Sequence, residues 1–209
     1  MKFNIDLVTK QNKKMLSKLS HEWPDSDKKL NKANATKEQL KEFKQLIKRK
    51  VGETEIHNFL EQNEVVFYFA LRDYRTGHHG LWVYSKQELQ PRIKSRNIKG
   101  LIPDFIIGGE NSDGHQWVII ELKGPNDNIF DIRSNRIQLT ATANSGICQL
   151  MEYTDACCEI QSHLRDHFSM RDFREPKGIL IIGTDDEFKD KRKQKLKRAF
   201  NQNFDKILR

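Results

Sequence analysis

The first 35 residues are polar and lysine-rich, with weak helical periodicity up to Leu19 and a break at Trp23-Pro24-Asp25. After Pro24 the chain reads as a linker. Thr36-Lys37-Glu38-Gln39 has the spacing of a capping box, and Leu40, Phe43 and Ile47 then recur at helical spacing with Leu46 beside them. Gly52 is expected to end that helix. A second helix starts near Glu53 and buries Ile56, Phe59 and Leu60. The pattern changes at Val65-Val66-Phe67-Tyr68-Phe69-Ala70-Leu71, a short apolar run that predicts a buried strand. Leu81-Trp82-Val83-Tyr84 offers a further strand. Two longer apolar runs, Leu101 to Ile107 and Trp117 to Leu122, flank the turn-rich Gly108 to Gly114 and read as a hairpin. Residues 124–136 read as an irregular loop. One long amphipathic helix is expected from Ala143 to Phe168, carrying Ile147, Leu150, Met151, Thr154, Cys158 and Leu164. Gly178 to Gly183 is the last buried strand, and a basic helix closes the chain.

This order of elements predicts an α/β fold, a mixed sheet flanked by helices. Residues 1–50 form a basic, partly helical N-terminal extension and residues 51–209 the main domain. No internal repeat is visible.

Composition narrows the class. Hydrophobic residues make up 36% and charged residues 32% of the chain, enough for a core, and no apolar run approaches the ~20 residues of a membrane span. The segment Met1 to Asp6 lacks the apolar stretch of a signal peptide, so a cytoplasmic protein is expected. Cys148, Cys157 and Cys158 are an odd set within one helical stretch and read as reduced thiols. The net charge of +8 is uneven. Residues 1–50 hold 14 Lys and Arg against 6 Asp and Glu, and the remainder holds 23 of each. A basic arm on a neutral body suits a polyanion such as nucleic acid, and a solvated lysine-rich helix fits equally well.

Candidate chemistry lies in the two longer apolar runs. Pro103-Asp104 sits inside the first and Glu121-Leu122-Lys123 ends the second. Alternation along a strand turns Glu121 and Lys123 to one face and Leu122 to the other, and hairpin pairing brings Asp104 toward Glu121. Hard divalent ions take oxygen ligands, commonly one or two carboxylates with water and phosphate. Asp104 and Glu121, with the Leu122 backbone carbonyl, form such a set, and Lys123 beside it could orient or deprotonate water and offset developing charge. Glu42-Phe43-Lys44, Glu187-Phe188-Lys189 and Asp27-Lys28-Lys29 repeat the triplet in helical or linker surroundings, where it is ordinary solvated charge. Charges in buried strands are costly unless paired or metal-bound, which leaves a metal site and a structural salt bridge both open.

Four segments together resemble a known family: Glu53-x5-Phe59-Leu60-x2-Asn63, Ile102-Pro103-Asp104-Phe105, Val118 to Pro125, and Gln149-x3-Tyr153. Over approximately residues 50 to 205 they are similar to the nuclease domain of the Shedu antiphage defence proteins, of the PD-(D/E)XK class. The resemblance implies a restriction-endonuclease-like fold and cleavage of DNA, taken here as double-stranded, with Mg²⁺ or Mn²⁺ by a homo-oligomer acting against invading DNA. It implies metal-binding roles for Asp104 and Glu121 and a catalytic role for Lys123. It also implies site roles for Glu53, on the helix before the first strand, and for Gln149, which shares a helix face with Tyr153. A further strand after the last helix is expected from the family pattern, whereas the chain stops at Leu208-Arg209.

A non-catalytic nucleic-acid-binding or assembly module on the same fold is the alternative, although Asp104, Glu121 and Lys123 are all present. His78-His79 has no companion pair at zinc-ligand spacing. Gly108-Gly109 lacks the rest of a phosphate-binding loop. The basic run from Lys189 to Arg198 reads as a solvated helix face or a phosphate contact.

Overall fold

The computed structural model describes residues 29–30, 35–71, 76–77, 79–89, 100–168, 170 and 172–203. Thr36 caps helix α1 (Lys37–Arg49) as its spacing requires. The Gln39 N–H donates to Thr36 Oγ1 at 3.1 Å, and the Thr36 N–H donates back to Gln39 Oε1 at 2.8 Å. The helix ends at Lys50, in the left-handed region at φ 55°, two residues before the expected glycine. Gly52 serves instead as the N-cap of α2 (Glu53–Gln62), which buries Ile56, His57, Phe59 and Leu60. Phe43 of α1 stacks on Phe59 of α2 at 5.4 Å, so the two helices share one core.

The run from Val65 to Leu71 is not a strand. A 3₁₀ turn (Glu64–Val66) leads into the short helix α3 (Phe67–Leu71). Phe67 and Leu71, four residues apart, are both fully buried, and the Phe67 ring lies 4.7 Å from that of Phe105. An apolar run this short has no decisive period, so packing chooses. The sheet edge such a strand would need is taken by β1 (Lys29–Leu30), a segment the sequence suggests is linker. The Tyr68 hydroxyl ties α3 to that edge by donating to the Leu30 carbonyl at 2.9 Å.

The main sheet follows the order β1-β2-β3-β4-β7, with β2 (Gly80–Ser85), β3 (Phe105–Asn111), β4 (Gly114–Leu122) and β7 (Lys177–Ile181). Pairs from β1 to β4 are antiparallel and β4–β7 is parallel, giving the expected mixed sheet flanked by helices. Strand β4 reads as a continuous apolar run because both of its faces are covered. Val118, Ile120 and Leu122 pack under α1–α3, while Trp117 and Ile119 pack under α4. The hairpin turn narrows to Ser112-Asp113, so Gly108 and Gly109 belong to β3. There Trp117 lies flat over Gly108, where an added Cβ would stand 2.7 Å from its ring.

Residues 124–136 are not all irregular. Phe130–Arg133 (β5) and Arg136–Leu139 (β6) form a separate hairpin, turned by Ser134 and Asn135 at φ 48° and 62°. Two consecutive positive φ values are the geometry of a two-residue hairpin turn, and asparagine tolerates them. The predicted long helix divides into α4 (Ala141–Glu159) and α5 (Gln161–His167) at Ile160. The buried stripe of α4 runs through Ala143, Gly146, Ile147, Leu150, Tyr153 and Cys157. Met151, 61% exposed, and Cys158 fall off that face, contrary to the sequence reading. Helix α6 (Lys191–Asn203) closes the described chain. The predicted helical pieces up to Leu19, His78 and the Leu208-Arg209 end lie outside the described residues. Among the described residues no helix is long and apolar enough to cross a membrane.

Candidate metal centre

Phe105 pairs with Ile120, so the next position outward on each strand sets Asp104 opposite Glu121. Asp104 does not lie inside β3 as expected but in the bend immediately before it. The physical reason is visible in its hydrogen bonds. Its Oδ2 accepts from the Leu122 N–H at 2.7 Å, so the side chain takes the donor that a strand carbonyl would otherwise satisfy. Pro103, lacking an N–H, cannot extend the ladder further.

On β4 the expected alternation holds. Glu121 follows Trp117 and Ile119 on the α4 face, and Leu122 is fully buried on the other. Lys123, just past the strand, returns to the α4 side, where a Cβ placed on Gly146 would lie 3.4 Å from its Cε. The Lys123 N–H donates to the Ile181 carbonyl at 2.8 Å, anchoring the turn to the end of β7.

Asp104 and Glu121 are each 4% exposed, deep burial for carboxylates. Lys123 Nζ donates to Glu121 Oε1 at 2.7 Å. Burial pushes the Glu121 carboxyl above its ordinary range; the bond from Lys123 pulls it back only in part, and the Asp104 charge adds to the rise. Burial pulls Lys123 down, but the bond to Glu121 and the charges of Glu121, Glu53 and Asp104 outweigh it and raise the ammonium's pKa. Lys123 is therefore held as a cation in this arrangement. It suits charge stabilisation and water orientation better than proton abstraction.

The remaining sequence candidates gather around this pair. Glu53 begins α2, exposed, and its charge acts on both Glu121 and Lys123. Tyr153 is buried on α4, and burial together with the charges of Glu121 and Asp104 raises its pKa, keeping the phenol neutral. Gln149 stands within hydrogen-bonding reach of that phenol, which donates to the Ile102 carbonyl at 3.4 Å. Among the described residues no three His, Cys, Asp or Glu side chains gather as an all-protein metal cage. Two buried carboxylates could instead serve an ion that keeps several waters and binds through one or two carboxylates.

Residues 50–208 match the family described as Shedu protein SduA, C-terminal. The chain belongs to the Shedu family. Membership suggests a role in antiphage defence. No curated protein matches the chain significantly.

Two residues of this Shedu chain escape the sequence reading. Lys86, one step past β2, forms an ion pair with Asp104 Oδ1. Its signal was the alternation of Trp82 and Tyr84, which carries position 86 to the same sheet face. Glu187, set aside in sequence as solvated charge, is 2% exposed at its side chain. Its two carboxylate oxygens accept from the Ile129 and Phe130 N–H groups at 2.8 Å each, and Lys193 donates to it at 3.0 Å. It thereby fixes the chain that leaves the Lys123 turn. Nothing local marks a partner 57 residues away in sequence.

Proposed function

We propose that this Shedu chain is a divalent-metal-dependent DNA endonuclease of restriction-endonuclease-like type. The observation that carries the reading is the pair of buried carboxylates, Asp104 in the bend before β3 and Glu121 on β4, with Lys123 bonded to one of them. Asp104, Glu121 and the Leu122 carbonyl would hold Mg²⁺ or Mn²⁺, which supplies a Lewis acid and a lowered water pKa. Lys123, beside Glu121, would offset charge that develops on the phosphate. Tyr153, with Gln149 in reach of its phenol, ties α4 to the Ile102 carbonyl two residues before Asp104, and Glu53 adds negative potential.

Duplex DNA as the substrate is supported by the placement of charge. Lys37, Lys41, Lys44 and Lys48 are exposed along one face of α1. The end of that helix meets the site, because the Asn126 side chain donates to the Lys50 carbonyl at 2.7 Å, three residues beyond Lys123. A row of ammonium groups leading to a cleavage centre suits a phosphate backbone. Action as a homo-oligomer belongs to the same proposal, and light scattering of the purified protein tests it.

The test is incubation of purified protein with supercoiled and linear DNA in Mg²⁺, in Mn²⁺ and in chelator. Nicked or linear product is expected only with metal, and Asp104→Asn or Glu121→Gln should lower the rate by about 100-fold or more. One observation favours a non-catalytic binding module instead: both acids are already neutralised by lysines, as in a structural charge cluster. Metal-independent DNA binding without product would select that reading.

A further inference from the structure

The two lysines of the site are not equivalent. Lys123 is enclosed, 13% exposed at its side chain, and bonded to Glu121. Lys86 is 52% exposed at its side chain, although the Asp104 carboxylate it pairs with is buried. Its backbone is committed: the N–H donates to the Asp104 carbonyl at 3.0 Å, and φ is 48°, a left-handed conformation that lysine rarely adopts. The main chain at 86 and 104 is thus tied by a hydrogen bond, while the Lys86 side chain is held by its ion pair with Asp104 and is half exposed to solvent. The carboxylate of Asp104 is divided accordingly. Oδ2 is fixed on the Leu122 N–H, and Oδ1, the oxygen left for a cation, is covered by the Lys86 ammonium.

We propose that Lys86 is a resident counter-cation that competes with the divalent metal for Asp104 and, on leaving, contacts the phosphate backbone of bound DNA. The inference rests on the metal-dependent nuclease reading and goes beyond it, because it couples metal loading to substrate. With no DNA, the ammonium has no better anion than Asp104 and opposes the metal. A phosphate at the cleft offers it an alternative and frees Oδ1. Metal and DNA then each favour the other's binding, as linkage requires. The protein would hold its metal weakly until DNA arrives.

The experiment is a Mn²⁺ titration followed by electron paramagnetic resonance, on the wild-type chain, Lys86→Met and Lys86→Arg, with and without a short duplex. Lys86→Met should bind Mn²⁺ about 3- to 10-fold tighter than wild type in the absence of DNA. Lys86→Arg should resemble wild type. Adding duplex should tighten Mn²⁺ binding in the wild type and much less in Lys86→Met. Lys86→Gly, which suits the positive φ, guards against a backbone artefact and should match Lys86→Met. In Ca²⁺, the DNA affinity of Lys86→Met should fall, with a salt slope shallower by about one. Equal or weaker Mn²⁺ binding by Lys86→Met and Lys86→Gly would overturn the competition alone, leaving the nuclease reading standing. Absence of Mn²⁺ binding by every variant, with or without DNA, would overturn both.

Discussion

Asp104 accepts a 2.7 Å hydrogen bond from the Leu122 N–H, so one side chain both terminates β3 and fastens itself beside Glu121. Fold and chemistry then separate by substitution. Asp104→Asn keeps an oxygen for the Leu122 N–H but loses the charge. Its metal-free melting temperature should stay within a few degrees of wild type while cleavage falls about 100-fold or more. Asp104→Ala leaves a buried N–H unsatisfied, at about 1–3 kcal/mol, and should melt measurably lower. Equal melting temperatures for the two variants would deny the carboxylate its role in the ladder.

Substitution of Lys123 tests whether the lysine serves turnover or structure. Lys123→Met retains the packed stem beneath Gly146 and removes the ammonium. If the lysine acts on the transition state, the variant should still bind Mn²⁺ and DNA while its kcat falls, because only late stabilisation is lost. If the pair with Glu121 is merely structural, the variant should unfold more readily instead. Stranding a buried charge costs about 3–5 kcal/mol. Calorimetry alongside single-turnover cleavage tells these apart, and a folded Lys123→Met protein that cuts at the wild-type rate removes the lysine from the mechanism.

The parts of this arrangement that were legible in sequence share a cause. Thr36-x-x-Gln39, the alternation Glu121-Leu122-Lys123 and the doubly covered Trp117–Leu122 run are local patterns with one physical solution. What was not legible depends on distant partners. Val65–Leu71 became helical because Phe67, packed on Phe105, and Leu71 are both buried in one core while a strand from residues 29–30 holds the sheet edge. Asp104 left the strand to serve a donor 18 positions away. The β5–β6 hairpin was different, since Phe130, Ile132, Ile137 and Leu139 alternate around Ser134-Asn135. That signal was local and its turn chemistry went unrecognised. Lys86 was hidden by an ordinary surface sequence and is remarkable only for what the fold sets beside it.

The raised Glu121 carboxyl gives stability a direction with pH. Its folded pKa exceeds the ordinary 4.5, so the native protein holds a proton that the unfolded chain releases. Stability linked to Glu121 is therefore complete below the ordinary value and is lost as pH rises through the raised one. Lys123 is also raised, from 10.5, and its contribution is lost only in strong alkali, outside this window. The melting temperature of the metal-free protein should accordingly decline, as pH rises above the ordinary 4.5 and through the raised value, more steeply than that of Glu121→Gln. Added Mg²⁺ should stabilise the wild type more at the upper pH than at the lower. Parallel slopes for the two proteins would show that burial of Glu121 carries no such linkage.

Cysteine reactivity tests the register of α4. Cys157 is fully buried in the stripe facing the sheet, and burial pushes its thiol up to about 12. Cys148 and Cys158 are exposed. A colourless disulfide reagent that releases a coloured thiolate should titrate two thiols in the native protein and the third only after denaturation. Mass mapping should find the protected one at Cys157. Protection of Cys158 instead would rotate the helix and carry Gln149 and Tyr153 away from the acids.

Gly183 couples the last strand to the site and offers the most demanding test of its architecture. Its φ is +69°, and a Cβ there would stand 2.4 Å from the Asp127 carbonyl oxygen, a backbone atom that cannot swing aside. The Gly183 N–H donates to the Gly124 carbonyl at 3.2 Å, and the Asp127 N–H donates to the same oxygen at 3.1 Å. The Asp127 carboxylate in turn accepts from the Gly124 N–H at 3.0 Å. Any side chain at 183 must therefore part β7 from the turn that follows Lys123. Gly183→Ala combines the cost of a left-handed conformation, about 1–2 kcal/mol, with that steric separation. At about 2–4 °C per kcal/mol for a chain of this size, the melting temperature should fall by several degrees. Gly183→Asn accepts the positive φ but carries the same Cβ, so it isolates the steric part. Both variants should also lose cleavage activity at a temperature where they remain folded, because the Lys123 turn moves with the contact. A Gly183→Ala protein with wild-type melting and wild-type cleavage would show that the turn is held by other means.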